Sequence, residues 1–327
     1  MNVGLIGCGN VGMKRALALG HNHLTLAVDS DIKKAKALVK KFGAIEFSTN
    51  PYEAIEDKSI DLIIVATTND HLAEYTLAAV EHGKHVLVEK PAGRNPNELI
   101  PIIRAAKENK VFVKVGFNHR FHPSFLKARD FLKAGALGKL MFVRGRYGHG
   151  GRLGYEKEWR ADPEKSGGGE LIDQGVHLID LSRWVLGNLS VDSGFTHTYF
   201  WKMPVDDNAF MMLKTKTEQV AWLHVSCTEW KNMFSFEIYG KTGKLMIDGL
   251  GGSYGLETLT YHKMDPHMGL PETSVWKYKS KEDLSWKREI DYFINCIKHK
   301  TKPDGDISDA KCALDIVKNV YIMTKFK

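Results

Sequence analysis

Short apolar runs alternate with longer amphipathic segments over the first third of the chain. The runs NVGLI, LTLAV and LIIVA have the length and continuous hydrophobicity of strands buried on both faces of a parallel sheet. Between them, MKRALALG, AKALVKKFG and HLAEYTLAAVEHG repeat apolar residues every three or four positions, as helices do, with Gly43 ending one helix and Asn50 capping another. This rhythm predicts an α/β domain with a doubly wound parallel sheet over residues 1–118.

The pattern changes after residue 118. The segment HPSFLKARDFLKAGALG predicts a helix, and the runs that follow it resemble strands, with turn signals at KTKTE and GKTGK. These runs are KLMFVRGRYGHGG, DSGFTHTYFWK, NAFMMLKT, QVAWLHVSC, FSFEIYG, GKLMIDG and GLETLTYHK. Two helices are predicted near 284–299 and 308–325, the second capped by Ser308. Residues 119–327 therefore predict an α+β domain with a large, mostly antiparallel, open sheet.

The first predicted strand leads into a glycine-rich turn and a helix, and the next strand ends at Asp29. In a dinucleotide-binding unit the first glycine allows a tight turn, the second lets the backbone approach the pyrophosphate, and the third brings the helix close to the strand. The helix N-terminus offers its N–H groups to the phosphates. A plain strand–helix turn is the alternative, but the order of elements favours a dinucleotide site. Its predicted ligands are Gly7, Gly9, Asn10, Val11, Gly12 and Asp29.

Asp29 indicates which dinucleotide binds. A carboxylate at this strand end, about 20 residues beyond the glycines, accepts hydrogen bonds from a ribose diol and repels a 2′-phosphate. Ser30, Lys33 and Lys34 lie nearby in the sequence and could soften that repulsion. The sequence predicts NAD as the cofactor, with NADP as the alternative.

Ligands of a doubly wound sheet bind beyond the carboxyl ends of its strands. The polar residues that follow the predicted strands are Thr67, Thr68, Asn69, Glu89, Lys90 and Asn118. We expect them to line the cofactor site, with Lys90 and Asn118 also facing the substrate. His71, just inside the next helix, is predicted to contact the cofactor or, equally, to be a surface or capping histidine.

The glycine-rich stretch SGGGELIDQGVHLIDLSRWVLG, at 166–187, begins a predicted semi-buried helix. Asp173 and His177 are four residues apart, which places them on one helical face. Taken alone, such a pair is more often a capping acid and a structural histidine. Asp180 could hold the tautomer of His177 or be an ordinary packing acid. Pro91 keeps Lys90 out of the helical region at a strand end, where a lysine has either a function or a solvated position.

Three segments together resemble a known family. The tripeptide EKP at 89–91, GFNHRFHP at 116–123 and GGGELIDQGVHLID at 167–180 look like those of the Gfo/Idh/MocA oxidoreductases, and the likeness covers essentially the whole chain. The resemblance implies an N-terminal Rossmann domain in which the glycine-rich loop and Glu89 hold the dinucleotide. It implies a catalytic group of Lys90, Asp173 and His177. It also implies that the second-domain sheet uses its open face in a homodimer or homotetramer.

Chemistry suggests roles for these residues. Oxidising a secondary alcohol requires a base for the hydroxyl proton as the hydride leaves, and a neutral histidine has an ordinary pKa suited to that role. A cationic lysine would stabilise the developing alkoxide. We expect His177 to be the base and Lys90 the stabiliser, although the two could exchange roles. Asp173 could orient Lys90 or bind a neighbouring hydroxyl.

The segment YGHGGRLGYEKEWRADPE, at 147–164, precedes the catalytic helix. It predicts a substrate wall in which Tyr155 or Trp159 stacks on a sugar ring and Arg152 or Arg160 meets an anionic group. The alternative is an exposed loop whose aromatic residues pack beneath it.

Composition limits the remaining possibilities. The chain has 327 residues, 43% hydrophobic and 26% charged, which is typical of a globular protein of two domains. It lacks an apolar run of membrane-spanning length and a leader pattern, so we expect a cytoplasmic protein. Four scattered cysteines and the isolated HRFH pair indicate neither a disulfide framework nor a metal site.

The net charge of +7 is interspersed with acids and favours a small anionic ligand over nucleic acid. The sequence therefore predicts an NAD-dependent dehydrogenase of a sugar, cyclitol or nucleotide-linked sugar, with a slight preference for the phosphorylated or nucleotide-linked sugars of surface-polysaccharide pathways. The alternatives are an inositol or free-polyol dehydrogenase, a keto-sugar reductase, and a non-catalytic protein that senses the dinucleotide.

Overall fold

The computed structural model describes residues 1–279 and 282–325. The chain forms two compact units. Unit 1 contains residues Met1–Phe117, Glu164–Gly167 and Trp286–Leu314, and unit 2 contains Asn118–Pro163, Gly168–Ser285 and Asp315–Lys327. None of the helices in the described ranges is long and apolar enough to cross a membrane.

A six-stranded parallel sheet forms the centre of unit 1. Its strands are β1 (Asn2–Ile6), β2 (His23–Val28), β3 (Glu46–Ser48), β4 (Leu62–Val65), β5 (His85–Val88) and β6 (Val113–Val115). They are ordered β3-β2-β1-β4-β5-β6, so the winding direction reverses between β1 and β4. This confirms the predicted doubly wound sheet, whose switch point is where such folds bind their ligands. The short strand β3 was not predicted.

Five helices follow the strands of unit 1. They are α1 (Asn10–Ala18), α2 (Ile32–Phe42), α3 (Pro51–Glu56), α4 (Asn69–Glu81) and α5 (Leu99–Glu108). The predicted helix ends are confirmed: Gly43 ends α2 in the left-handed conformation, and the Asn50 side chain accepts a hydrogen bond from the N–H of Tyr52 at the start of α3. Every residue of β4 is buried, as expected for a strand covered on both faces.

An eight-stranded sheet dominates unit 2, after the helix α6 (Pro123–Lys133). Its strands are β7 (Leu140–Gly148), β8 (Ser190–His197), β9 (Asn208–Lys214), β10 (Val220–Ser226), β11 (Met233–Gly240), β12 (Gly243–Asp248), β13 (Glu257–Lys263) and β14 (Glu272–Tyr278). Their order is β14-β13-β12-β11-β7-β10-β9-β8, antiparallel except where β7 pairs with β10. The mostly antiparallel sheet is confirmed. The edge strand β14 was missed because its side chains are exposed or half-buried, so it lacks an apolar alternation.

Helices cover one face of this sheet. The helix α8 (Val176–Leu186) packs on β7 and β10, while α6 packs on β12, β13 and β14. The short α7 (Pro163–Ser166), which precedes α8, lies mostly in unit 1. The other face leaves Phe195, Met212 and Trp222 exposed. Exposed apolar residues in a group are typical of an association surface, and the use of this face in an oligomer stays a prediction.

The C-terminal helices are α9 (Ser285–His299) and α10 (Ile307–Thr324). Ile290, Phe293 and Ile294 of α9 are buried in the core of unit 1. The predicted second domain, 119–327, therefore differs from unit 2 at residue 118 and in the segments 164–167 and 286–314. The amphipathic pattern of α9 indicates that one face of the helix is buried. It does not indicate which of the two sheets that face packs against.

The predicted cap of α10 was wrong. Ser308 lies inside the helix, and the Asp306 side chain accepts hydrogen bonds from the backbone N–H groups of Ser308 and Asp309, at 2.9 and 3.1 Å. Serine and aspartate are both good N-cap residues, so composition alone did not distinguish the two positions.

Candidate active site

The glycine-rich loop of unit 1 has the shape that a dinucleotide requires. Gly7 has a φ of +99°, and a Cβ atom there would overlap the carbonyl of Ala66. A Cβ on Gly12 would overlap the carbonyl of Gly7, so α1 approaches the turn closely only because both residues are glycine. At Gly9 no described atom lies within 4 Å of a Cβ position, which leaves room for a pyrophosphate beside the exposed start of α1 at Asn10.

Asp29 is held at the edge of this loop. Its Oδ2 accepts a hydrogen bond from the backbone N–H of Cys8 at 2.8 Å, and its Oδ1 accepts one from the N–H of Asp31 at 2.9 Å. The carboxylate is half-buried and remains able to accept further hydrogen bonds. These contacts fit a ribose diol at this strand end.

The residues after β4 take different positions. Asn69 is buried and donates from Nδ2 to the carbonyl of Ser166 at 2.9 Å, whereas Thr67 and Thr68 are half-buried before α4. His71 is exposed on α4, where its ring stacks on Tyr75 with centroids 5.5 Å apart. This is the arrangement of a surface histidine, which was the alternative prediction for His71.

The carboxyl end of β5 carries Glu89 and Lys90. Glu89 is buried, and its Oε1 accepts a hydrogen bond from Arg15 Nε at 2.5 Å. Lys90 is half-buried and is followed by a cis peptide bond to Pro91. The contact of Glu89 with the cofactor stays a prediction.

Arg15 and Glu89 belong to a buried cluster of four charges. Arg15 Nη1 lies 2.7 Å from Glu289 Oε2, and Lys114 Nζ lies 2.8 Å from Glu289 Oε1. Burial raises the pKa of Glu289, but the charges of Lys114 and Arg15 outweigh it and lower that pKa overall. The cluster joins α1, β5, β6 and α9. In the sequence, the sign of this buried cluster is the lysine in the apolar run VFVKV, which is Lys114.

The helix of unit 2 that carries Asp173 and His177 starts differently from its prediction. Residues 167–169 are not helical, Leu171–Gly175 form a π-helical turn, and α8 continues from Val176. Asp173 lies in the π turn and His177 in the first turn of α8, and both are buried. A π turn inserted in a helix is frequently found at functional sites.

A carboxylate holds the start of this helix. Asp206 Oδ1 accepts hydrogen bonds from the N–H of Gly169 at 3.0 Å and from the hydroxyl of Tyr321 at 2.6 Å, while its Oδ2 accepts one from the N–H of Leu171 at 2.8 Å. Burial raises the pKa of Asp206 to about 6 in spite of these hydrogen bonds. Asp206 and Tyr321 were not predicted, because they lie 35 and more residues from the helix start.

This pKa predicts a pH dependence of stability. A carboxyl whose pKa is about 6 in the folded state, against an ordinary unfolded value of about 4, favours folding most below pH 4 and loses that contribution as the pH rises to 6. We expect the stability advantage of the wild type over Asp206→Asn to fall by about 2–3 kcal/mol across this window. Urea unfolding at closely spaced pH values measures it, and parallel pH profiles of the two proteins would contradict it.

Asp180 forms an ion pair with the turn that follows β6. Arg120 donates to it from Nε and Nη2, at 2.7 and 2.6 Å, and both side chains are buried. Asn118, also buried, donates from Nδ2 to Ser285 Oγ at 2.9 Å. The arrangement of Asp180 matches the alternative prediction of a packing acid, and it joins α8 to the 3-10 turn Asn118–Phe121.

The segment 147–164 forms an ion pair with the helix turn that carries Asp173. Arg160 Nε lies 3.1 Å from Asp173 Oδ2, and Arg152 lies 2.5 Å from Glu158. Burial lowers the pKa of Arg160, but the charge of Asp173 outweighs it and raises that pKa overall. Trp159 is half-buried, with the Arg160 guanidinium 4.6 Å from its ring. Both arginines predicted to meet an anionic ligand thus have carboxylate partners within the protein.

Tyr155 lies underneath this segment. It is 3% exposed, its ring contacts those of His149 and Trp201, and its hydroxyl lies 3.5 Å from Glu170 Oε2. His149 Nε2 lies 3.3 Å from Glu170 Oε1. Tyr155 therefore packs below the segment, as the alternative prediction had it. Glu170 and His149 were not among the predicted site residues.

Comparisons with known proteins agree with this geometry. One family model, described as an oxidoreductase family with an NAD-binding Rossmann fold, matches residues 1–117, and one described as the GFO/IDH/MocA C-terminal domain matches residues 125–246. A scyllo-inositol 2-dehydrogenase (NAD(+)) of Bacillus subtilis is 31% identical over 86% of this chain and 81% of that protein. A levoglucosan dehydrogenase of Pseudarthrobacter phenanthrenivorans is 26% identical over 76% of this chain and 73% of that protein. A solved levoglucosan dehydrogenase in complex with NADH has a TM-score of 0.88 over 99% of this chain and 98% of that one, at 21% identity, and so shares the fold.

Proposed function

The chain belongs to the Gfo/Idh/MocA family of NAD-binding oxidoreductases, and we propose that it moves a hydride between NAD and a secondary alcohol of an uncharged sugar or cyclitol. The observation that carries the proposal is the buried pair Asp173 and His177 on the helix of unit 2 that begins with a π turn. An acid and a histidine enclosed in this way suit proton transfer to and from a hydroxyl group.

The proposal gives each residue a role. His177, as a neutral imidazole, accepts the hydroxyl proton while the hydride leaves the carbon. Lys90 stabilises the alkoxide with its positive charge. Asp173, oriented by Arg160, accepts a hydrogen bond from a neighbouring hydroxyl. NAD, when bound, supplies the hydride acceptor. In the reverse direction the same residues make a keto-sugar reductase, with His177 as the acid.

The ion pairs that Arg152 and Arg160 form in the segment 147–164 support an uncharged substrate. An anionic substrate was favoured because of Arg152 and Arg160, and each of these guanidinium groups lies within ion-pair distance of Glu158 or Asp173. A phosphate bound there would share these arginines with Glu158 and Asp173, whose negative charges would repel it. The two relatives are also named for uncharged polyols, scyllo-inositol and levoglucosan. A phosphorylated or nucleotide-linked sugar is the competing substrate class.

The test of the proposal is NADH formation with a panel of inositols, aldoses, anhydrosugars and UDP-linked sugars. We expect turnover with one uncharged class. Turnover only with the nucleotide-linked sugars would support the competing substrate class. A protein that binds NAD and turns over neither these alcohols nor the corresponding keto-sugars would contradict the enzymatic proposal and favour a dinucleotide-sensing role.

The NAD preference has its own test. Replacing Asp29 by alanine removes the charge that repels a 2′-phosphate and leaves Lys33 and Lys34 nearby, so we expect the ratio of kcat/KM for NADP to that for NAD to rise at least about tenfold. Asp31→Ala is the matched control, because it removes the same charge at the cap of α2, two residues away. An equal rise in both variants would show a general charge effect and contradict the role of Asp29.

A further inference from the structure

Two histidine rings are stacked inside unit 2. His119, in the 3-10 turn Asn118–Phe121, lies against His177 of α8 with ring centroids 3.9 Å apart and planes inclined by 25°. His119 is 7% exposed and His177 is 4% exposed. The contact is close enough for each ring to restrict the orientation of the other and to sense its charge.

His119 is itself held in place. The Asn118 amide donates from Nδ2 to Ser285 Oγ at 2.9 Å, so its Oδ1 is the atom that faces His119 Nδ1, at 3.2 Å. A carbonyl-type oxygen accepts hydrogen bonds, and Nδ1 of His119 therefore carries a hydrogen. The rings of Tyr147 and Phe234 pack around His119 at 5.2 and 5.8 Å. The stack thus has one ring that is anchored independently of His177.

We propose that His119 is a positioning residue that fixes the ring plane of His177. The same stacked pair accepts no more than one proton near neutral pH. This rests on the proposed function of His177 as the base. Two cations at this separation would repel strongly in a buried site, so a proton on His119 prevents His177 from becoming charged. A neutral His119 instead presents its π face to the cation that His177 becomes when it accepts the substrate proton.

The carboxylates closest in sequence to His177 form ion pairs with arginines. On the helix that carries His177, Asp173 bonds to Arg160 and Asp180 bonds to Arg120. Of the elements packed against α8, β10 buries Leu223 and Val225 toward it.

Two further titratable groups lie beside the rings. On β7, the buried Tyr147 has a pKa raised well above its usual value by desolvation, which keeps its hydroxyl neutral. In the segment after the turn, His122 lies 5.7 Å from His119, ring to ring, and its Nδ1 lies 3.1 Å from Glu257. The two carboxylates on the helix of His177, Asp173 and Asp180, are each paired with an arginine.

The proton-sharing part is tested by NMR titration of histidine ring nitrogens in the substrate-free protein. In the wild type we expect the second proton of the pair to bind at least about 100-fold more weakly than the first. In His119→Phe, which keeps a stacked ring, His177 should titrate alone. Its midpoint should lie about 0.3 pH unit below the first step of the pair if the two rings bind the proton equally, and further below if His119 binds it better.

The positioning part is tested by kinetics. Because His119→Ala removes the stacking surface, we expect kcat to fall about tenfold with KM changed less than about threefold, and His119→Phe to restore most of the loss. The acid limb of the kcat/KM profile should move to lower pH in His119→Phe, since a competitor for the proton is gone. His262→Phe on β13 is the matched control and should leave both the titration and the kinetics unchanged.

The outcomes separate this proposal from the proposed function. If both rings of the wild type take up protons independently over the same pH range, or if the His177 midpoint is unchanged in His119→Phe, the pair proposal is overturned even when the enzyme oxidises a polyol. If no alcohol is turned over, the NMR titration still decides whether the pair exists, because it needs no substrate. The wild-type titration also decides it if a variant does not fold.

Discussion

Replacing His177 by alanine is expected to lower kcat by about 10²–10⁴-fold while KM changes only a few-fold, the usual loss when a positioned general base is removed. The side chain lies in the first turn of α8, where alanine is the best helix former, so the helix should persist. The measurement is steady-state kinetics with the substrate found in the panel. His224→Ala, on β10, removes a half-buried histidine outside the catalytic group and should stay close to the wild type.

A pH profile distinguishes the two candidate bases. If His177 is the base, the acid limb of kcat/KM should disappear in His177→Ala and persist in Lys90→Ala, which loses the charge that stabilises the alkoxide and not the proton acceptor. The opposite result would exchange the two roles. Retention of near wild-type kcat in both variants would contradict the catalytic assignment altogether.

The second large effect concerns stability. Glu289→Ala is expected to lower the free energy of unfolding of the protein by about 3–5 kcal/mol, because it leaves Arg15 and Lys114 buried with Glu89 as the remaining carboxylate of the cluster. All four side chains are at most 8% exposed, so water cannot replace the lost partner. Chemical denaturation monitored by circular dichroism measures the change.

The same helix provides a matched control. Asp291 lies two residues from Glu289 on α9, and its ion pair with Lys287 at 2.6 Å is about half exposed. Asp291→Ala should change the free energy of unfolding by no more than about 1 kcal/mol, as is usual for a solvated pair. Equal costs for Glu289→Ala and Asp291→Ala would contradict the importance of the buried cluster.

Much of unit 1 was predictable because its signals are local. The strand, the glycines, the helix and Asp29 occur within about thirty residues, the span of one βαβ unit, and the hydrophobic period distinguishes strand from helix there. The cap at Asn50 and the helix end at Gly43 were read from single residues with specific backbone roles. The candidate group Lys90, Asp173 and His177 was predicted from the resemblance of three local motifs to the family.

Other features were misjudged or missed because their signals are weak or ambiguous. The strands β3 and β14 are short or exposed, so neither buries a clear apolar pattern. Asp306 and Ser308 are both good cap residues, and the sequence favoured the wrong one. The π turn that contains Asp173 begins at Leu171, whose N–H donates to Asp206, a residue 35 positions away that local propensity cannot reveal.

By itself, the sequence determined the type of most regular elements, the dinucleotide loop and the motifs of the family, since hydrophobic period, glycine and proline geometry and capping act over a few neighbouring residues. Only the tertiary structure decided which distant side chains meet. Arg15 bonds to Glu289 across 274 positions, Arg120 to Asp180 across 60, and the rings of His119 and His177 stack although different elements carry them. Burial sets how strongly such charges interact, and burial is a property of the packed chain that no short stretch of sequence contains.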